Sequence, residues 1–240
     1  MLTKLTMDIL LVENVVAGYQ SSNVLQGVSI SLSEGEIISV VGRNGVGKTT
    51  LVRTIMGLLP VRSGRIEFAG KQITSKAADH RARQGIGYVP QDRGIFPDLT
   101  VEENLRMGRF IGTKRNSLDF ESVFNNFPFL KERLHQRGGT LSGGQQEMLA
   151  IARALINQPK LLLLDEPSDG VQPSIVEEIG QFLLQLKATG EVTVLLVEQN
   201  FDLLQTVSDR AYAMEKGMVA DQLSVDDLNN DEILAAHIAM

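Results

Sequence analysis

The chain has no cysteine among its 240 residues, which excludes disulfides and thiolate-held metals. Its three histidines, His80, His135 and His237, are scattered and offer no metal-binding spacing. No apolar run approaches the roughly 20 residues needed to cross a bilayer. The longest, at 160–164 and 192–197, are of strand length and end in acidic residues. Basic residues are outnumbered, 23 against 29 acidic, for a net charge of −6. That balance argues against a protein that holds nucleic acid mainly through a basic surface. The start of the chain, Met1-Leu2-Thr3-Lys4-Leu5, has neither an extended apolar region nor a small-residue cleavage site, so no secretion signal is expected and the chain is expected in the cytosol. Repeats, heptads and low-complexity tracts are also missing. What remains is an ordinary globular composition at a length that suits one large domain, or one domain with an insertion.

The stretch that organises the chain is Ser39-Val40-Val41-Gly42-Arg43-Asn44-Gly45-Val46-Gly47-Lys48-Thr49-Thr50. An apolar run over 37–41 reads as a buried strand. It passes through a loop with three glycines into residues that begin a helix, which is the G-x-x-x-x-G-K-[ST] phosphate loop in the strand–loop–helix setting that the motif requires. Gly42, Gly45 and Gly47 let backbone N–H groups converge on phosphate oxygens, and the helix start adds its positive end. Lys48 is expected to reach the β- and γ-phosphates, and Thr49 to offer its hydroxyl to Mg²⁺. Arg43 and Asn44 fill variable positions, where the backbone is expected to bind while the side chains face solvent.

Along the rest of the chain, alternation over 7–16 predicts an edge strand ending near Gly18-Tyr19, and 24–32 a second strand. The helix after Lys48 is expected to end near Gly57, followed by a short strand over 64–70. Residues 81–85 read as a polar approach to a strand at 86–91 that delivers Gln91. Residues 101–137 change character and read as a small helical insertion broken by Pro128. The core resumes with a helix over 145–156, a strand at 160–164, a helix at 173–188, a strand at 192–197, a helix at 201–207 and a closing hairpin. A polar, then helical, tail follows from 226 to 240. The expected class is α/β, with antiparallel strands leaning on a nucleotide-binding core.

Two further stretches carry chemistry. Leu161-Leu162-Leu163-Leu164-Asp165-Glu166 suits a strand buried on both faces, with two carboxylates at the end where ligands bind in such sheets. Alternation of side chains would give the two different tasks, Asp165 in the Mg²⁺ shell and Glu166 orienting or deprotonating a water. Thr140-Leu141-Ser142-Gly143-Gly144-Gln145-Gln146 reads as a capping serine and two glycines at a helix start. That is either an anion-binding nest or a plain cap. One phosphate loop already cradles a triphosphate, so a second nest raises the question of whose phosphate it binds.

These strings together resemble the nucleotide-binding subunit of an ATP-binding cassette (ABC) transporter over essentially the whole chain. Residues 41–50 resemble that family's Walker A motif, 161–166 its Walker B with the catalytic glutamate, and 141–145 its signature. The resemblance implies a P-loop NTPase core of ABC type, with an antiparallel β subdomain and a small inserted α-helical subdomain (about 101–137 plus the signature helix to about 157), all within one nucleotide-binding domain over 1–240. It implies ATP and Mg²⁺ as cofactors. Gln91 then touches Mg²⁺ and senses the membrane partner, Tyr19 stacks on adenine, and Asn44, Thr50 and the loop glycines join Lys48 around the phosphates. Two such domains, as a homodimer or heterodimer, are expected to clasp two ATP head to tail, with Ser142, Gly143 and Gly144 of one closing over the γ-phosphate of the other. The implied setting is peripheral, on the cytoplasmic face of the cell membrane, with two permease subunits and, indirectly, a solute-binding protein; nucleic acid is not an expected partner. The strings at 87–91 and 95–105 resemble the branch that imports branched-chain amino acids, amides and urea. Arg137-Gly138-Gly139 and residues 170–175 are most similar to its urea-transporting member. An exporter or lipid-machinery ATPase shares the core motifs, and a non-transport ABC protein is a more distant alternative. Two positions depart from the common family pattern. Gln199 stands where most members carry a switch histidine, and an amide cannot accept a proton near neutral pH. Gln172 stands where many have aspartate. Both put the hydrolysis rate in question.

Overall fold

The computed structural model describes residues 8–109 and 120–238. The leader reading over residues 1–5, the first residue of the expected 7–16 strand, residues 110–119 of the helical insertion and the last two residues of the tail lie outside them. No helix among the described residues is long and apolar enough to cross a membrane.

Two sheets form the frame. In the first, β1 (Asp8–Ala17) and β2 (Leu25–Ser33) pair antiparallel, and β1 also pairs antiparallel with β4 (Val61–Phe68), which β5 (Lys71–Gln72) extends, in the order β2-β1-β4-β5. β1 is therefore an interior strand, not the edge strand its sequence predicts. Alternation reports which face is buried and carries no information on whether one or both hydrogen-bonding edges are used.

The second sheet runs β10 (Met218–Leu223), β9 (Arg210–Glu215), β3 (Ile37–Val41), β8 (Thr193–Val197), β7 (Leu161–Asp165), β6 (Ile86–Val89). It is parallel except for the hairpin strand β10. β3, β7 and β8 are buried at every residue, as their unbroken apolar runs require. Leu161 and Leu163 point into a core shared with the antiparallel sheet and α1 (Lys48–Met56), whereas Leu162 and Leu164 point into a second core. Each leucine contributes about 1.5–3 kcal/mol by burial, so β7 is clamped from both sides and its C-terminal carboxylates are held on a stiff support.

The second core is closed by helices: α3 (Val101–Arg109), α4 (Phe120–Asn126), α5 (Pro128–Glu132), α6 (Gly143–Leu155) and α7 (Pro173–Thr189), with α8 (Phe201–Val207) beside α7. The break at Pro128 is as expected, with the proline at the first turn of α5. Two short helices, α9 (Val225–Leu228) and α10 (Asp231–Ile238), pack Leu228 and Leu234 against Leu204 and Ala211.

A helix also forms where the sequence reads as a polar approach. Residues 78–84, whose second half reads as a polar approach, form α2 (Ala78–Gln84). The residue that hides it is Arg81, only 1% exposed. Its guanidinium donates to the Thr54 and Ile55 carbonyls at the end of α1 (2.9 and 2.7 Å) and to the Lys76 and Thr74 carbonyls (2.8 and 2.9 Å). A buried arginine that caps a helix C-terminus does the work of a core residue while reading as polar in any hydrophobic pattern. Burial lowers its pKa to about 10, which still leaves it charged.

Candidate functional site

β3 ends at Val41 and the chain turns through Gly42, Gly45 and Gly47 at φ 143, 85 and 114°. The need is steric at Gly42, where a Cβ would lie 2.4 Å from the Met214 carbonyl oxygen. α1 begins at Lys48 with Gly47 as its N-cap and no side chain capping it. The amides of Gly45, Gly47, Lys48 and Thr49 find no acceptor among the described residues. Uncapped donors in the loop and at the helix start form a cradle for an anion. Lys48 is 4% exposed. Its ammonium donates to the Gly42 and Arg43 carbonyls (2.7 and 3.2 Å) and lies 3.4 Å from Glu166 Oε1. The Thr49 hydroxyl donates to Asp165 Oδ1 at 3.0 Å. Burial pushes the Asp165 carboxyl up, Thr49 and the Tyr88 hydroxyl (3.5 Å) oppose that, and the Glu166 charge adds to it. Over the loop lies a cavity of about 320 Å³, lined by Gly45, Gly47, Lys48, Thr49, Thr50, Gln91 and Glu166 among others.

β8 lies between β3 and β7, so the loops at the C-terminal ends of all three strands meet. Asp165 is the last residue of β7, and Glu166 does not continue it: its φ is +52°. The two carboxylates therefore diverge because the backbone turns left-handed at Glu166, and the alternation expected from the sequence is not the cause. A non-glycine residue held there costs about 1–2 kcal/mol. Glu166 accepts from Gln91 Nε2 at 2.9 Å and from Gln199 Nε2 at 2.6 Å, while its own amide donates to the Val197 carbonyl at 2.8 Å. Gln91 also donates to Asp169 (3.2 Å), and Gln199 to Asn44 Oδ1 (2.8 Å). The Asn44 side chain thus takes part in the site, contrary to the expectation that only its backbone does.

The structure brings Gly42, Asn44, Gly45, Gly47, Lys48, Thr49, Thr50, Gln91, Asp165, Glu166 and Gln199 together. Tyr19 stands apart, in the turn between β1 and β2, 42% exposed, its hydroxyl accepting from Arg53 Nη1 at 3.3 Å. That bond, first among several, raises the Arg53 pKa. Ser142, Gly143 and Gly144 do not line the cavity over the phosphate loop. Ser142 caps α6 in a full capping box with Gln145 (3.3 and 3.1 Å). Gly144 lets α6 approach α7, since a Cβ there would meet Ile175 at 2.5 Å. Gln172 is the N-cap position of α7 and makes no capping bond.

Several participants escaped the sequence reading. Asp169 and Tyr88 are single polar residues with no spacing to flag them. Glu198 and Glu147 are 2% and 3% exposed, and a glutamate beside other polar residues reads as solvated. Glu147, on α6, pairs with Arg93 at 3.4 Å, yet burial outweighs that single guanidinium and pushes its carboxyl up to about 8. Arg93 has φ +65° and its guanidinium lies beside the position a Gly143 Cβ would take. It joins the segment after Gln91 to the start of α6.

A buried lysine over a glycine loop, a threonine–aspartate pair and a second carboxylate held at the adjoining strand end define a nucleoside triphosphatase of the phosphate-loop class. The sequence profile of the ABC transporter family matches residues 25–169. The chain belongs to that family, as an ATP-hydrolysing subunit of a transporter. It is 44% identical over 208 residues to the high-affinity branched-chain amino acid transport ATP-binding protein BraG of Pseudomonas aeruginosa, covering 86% of this chain and 89% of BraG. It is 38% identical to the probable branched-chain amino acid transport ATP-binding protein LivF of Archaeoglobus fulgidus, over 90% and 92% of the two chains. It is 35% identical to the lipopolysaccharide export system ATP-binding protein LptB of Haemophilus influenzae, over 94% and 95%. Among solved structures, it matches the ADP conformation of the ATP-binding cassette MJ1267 with a TM-score of 0.80 at 31% identity, over 95% and 98% of the chains. A dimeric post-hydrolysis state of the cassette MJ0796 bound to ADP and phosphate matches with a TM-score of 0.80 at 25% identity, over 90% and 98%.

Proposed function

We propose that this chain powers the import of a small polar solute, a branched-chain amino acid, an amide or urea, through separate permease subunits at the cytoplasmic face of the membrane. Two cassettes, identical or sister chains, clasp two ATP between them. The observation that carries this reading is the division of the site. One chain assembles a loop, a cation and a carboxylate around one cavity, while its second glycine nest, at Ser142, lines no part of that cavity. A glycine-rich helix start that meets no phosphate of its own chain fits a role on the phosphate of a second cassette. The amino-acid relatives BraG and LivF support the solute class. In the string at 137–139 that resembles the urea member, a Cβ at Gly138 would lie 3.1 Å from Asn104 and one at Gly139 2.9 Å from Pro97, so these glycines also serve close local packing. A second reading, an export ATPase, draws support from the resemblance to LptB.

In this reading, the loop amides and Lys48 hold the β- and γ-phosphates, and the Tyr19 ring offers its exposed face to adenine. Thr49 and Asp165, with Gln91, present a hydroxyl, a carboxylate and an amide oxygen, hard donors that fit Mg²⁺. The ion would offset charge between the phosphates and the carboxylates at 165, 166 and 169. Glu166 orients the attacking water and takes its proton. Gln199 and Gln91 hold that carboxylate from either side, so Gln199 positions and transfers no proton.

Glu166→Gln removes the base and its charge while leaving the phosphate cradle intact, so ATP should be held without hydrolysis. The variant should be dimeric with ATP and monomeric with ADP by size-exclusion chromatography with light scattering, run alone and with a candidate sister cassette added. Adding Ser142→Arg should return it to monomer while ATP binding persists. Dimerisation that ignores ATP, or a double variant that still dimerises with ATP, would reduce the second nest to a helix cap. Co-purification with permeases and a solute-binding protein supports import, and with an export scaffold the second reading.

A further inference from the structure

Behind the two loops that carry Glu166 and Gln199 lies a carboxylate to which the proposed reaction gives no task. Glu198 follows directly on β8 and is 2% exposed. Its Oε1 accepts from the backbone amides of Gln199 (2.6 Å) and Asn200 (3.0 Å), and its Oε2 accepts from the amide of Ser168 (3.2 Å). Burial pushes its carboxyl up and these amides pull it back. A buried carboxylate is costly unless its lone pairs are satisfied, and here backbone donors satisfy them. The donors belong to different segments. Gln199 and Asn200 lie in the loop after β8, Ser168 in the loop after β7.

What each segment holds gives the bridge a consequence. Gln199, whose amide is bound by Glu198, donates its side chain to Glu166 at 2.6 Å. Asp169, next to Ser168, accepts from Gln91, which donates with the same nitrogen to Glu166. We infer that Glu198 is a positioning residue for hydrolysis, locking the loops after β7 and β8 in register so that Gln199 and Gln91 grip the Glu166 carboxylate from opposite sides. The inference rests on the proposed role of Glu166. The competing role is structural only: Glu198 stands just before Asn200, the N-cap of α8, and would simply start that helix.

Glu198→Gln keeps the size but replaces one acceptor oxygen with an NH₂ that faces backbone N–H. In the full chain assembled with its transporter partners, kcat should fall about tenfold, roughly one loop-positioning hydrogen bond. Equilibrium ATP binding should stay within about twofold, because no phosphate contact changes. Combined with Gln199→Ala, the Glu198→Gln change should cost less than it does in wild type, since one of the two grips that Glu198 supports is already gone. Glu198→Asp keeps the charge but falls short by one methylene; it should lose less than Glu198→Gln, and it carries the same cycle if the amide variant folds poorly. Wild-type kcat in Glu198→Gln, or losses that multiply with Gln199→Ala, would overturn the inference while leaving the site reading intact. Wild-type kcat in Gln199→Ala itself would overturn both.

Discussion

Gln199→Ala tests whether hydrolysis in this site depends on a positioned amide where an imidazole is usual. The side chain gives both N–H groups away, one to Glu166 Oε1 at 2.6 Å and one to Asn44 Oδ1 at 2.8 Å. A hydrogen bond to a charged group contributes about 1.5–3 kcal/mol. If all of it serves to hold Glu166 toward a water, kcat falls about 10- to 150-fold. Lys48 at 3.4 Å and Gln91 at 2.9 Å still hold the carboxylate, which places the expectation nearer tenfold. Binding should barely move, because no loop amide and no cation is touched. Gln199→His sharpens the test. A neutral imidazole has one N–H and can keep only one of the two bonds; an imidazolium keeps both. Beside Glu166 its pKa rises above the ordinary value of about 6.5. The bond network is therefore complete below about pH 6.5 and is lost as pH rises through the raised pKa. ATPase profiles of the assembled transporter between pH 6 and 9 should show that limb in the histidine variant and not in wild type. An alanine variant at wild-type kcat, or one that changes only KM, would refute the reasoning.

Lys48→Ala removes the buried cation of the loop, whose proposed contacts to two phosphates would amount to about 3–6 kcal/mol; binding of a labelled ATP analogue should weaken at least 100-fold, and affinity within twofold of wild type would sink the assignment. Glu147 is protonated more readily in the folded chain, at about 8 against an ordinary 4.5, so its contribution is fully present below about pH 4.5 and is lost as pH rises to about 8. The slope is up to about 1.4 kcal/mol per pH unit. Glu147→Gln should flatten that dependence in urea melts at pH 5, 6.5 and 8, and parallel curves would refute it.

The parts of this fold that show in the sequence are those where burial and backbone geometry act locally. The unbroken apolar strands β3, β7 and β8, the glycine loop between β3 and α1, and the proline break before α5 each leave a short-range mark. What stayed hidden depends on partners distant in the chain. β1 became an interior strand only because β4, some fifty residues on, returns to its second edge. Arg81 reads as surface, yet it closes the end of α1 across 27 positions. Glu198 reads as one more acidic residue until Ser168, 30 positions earlier, is seen to donate to it. The site divides in the same way. Lys48, Thr49 and Asp165 announce themselves by motif, whereas the left-handed turn at Glu166, whose amide is tied to the Val197 carbonyl 31 positions on, is encoded by no pattern over 161–166.

The donors around Glu166 also decide how its amide variant behaves. Oε1 faces Lys48 and Gln199, both donors in this arrangement, while Oε2 accepts from Gln91 as its one partner among the described residues. In Glu166→Gln the remaining oxygen must stay with Lys48 and Gln199, which sends the new NH₂ toward Gln91. Gln91 can answer only by turning its own amide over, and its Nε2 then leaves Asp169, to which it now donates at 3.2 Å. The substitution therefore acts beyond the base: it turns the Gln91 oxygen proposed for Mg²⁺ toward residue 166, and it loosens the tie between the segment after β6 and the loop after β7. Glu166→Ala removes the base without forcing that flip. If hydrolysis alone limits the cycle, both variants should trap ATP equally. If the Gln91–Asp169 contact matters to closure, the alanine variant should form the ATP dimer more readily than the glutamine variant, and comparison of their dimer yields at the same ATP concentration separates the two cases.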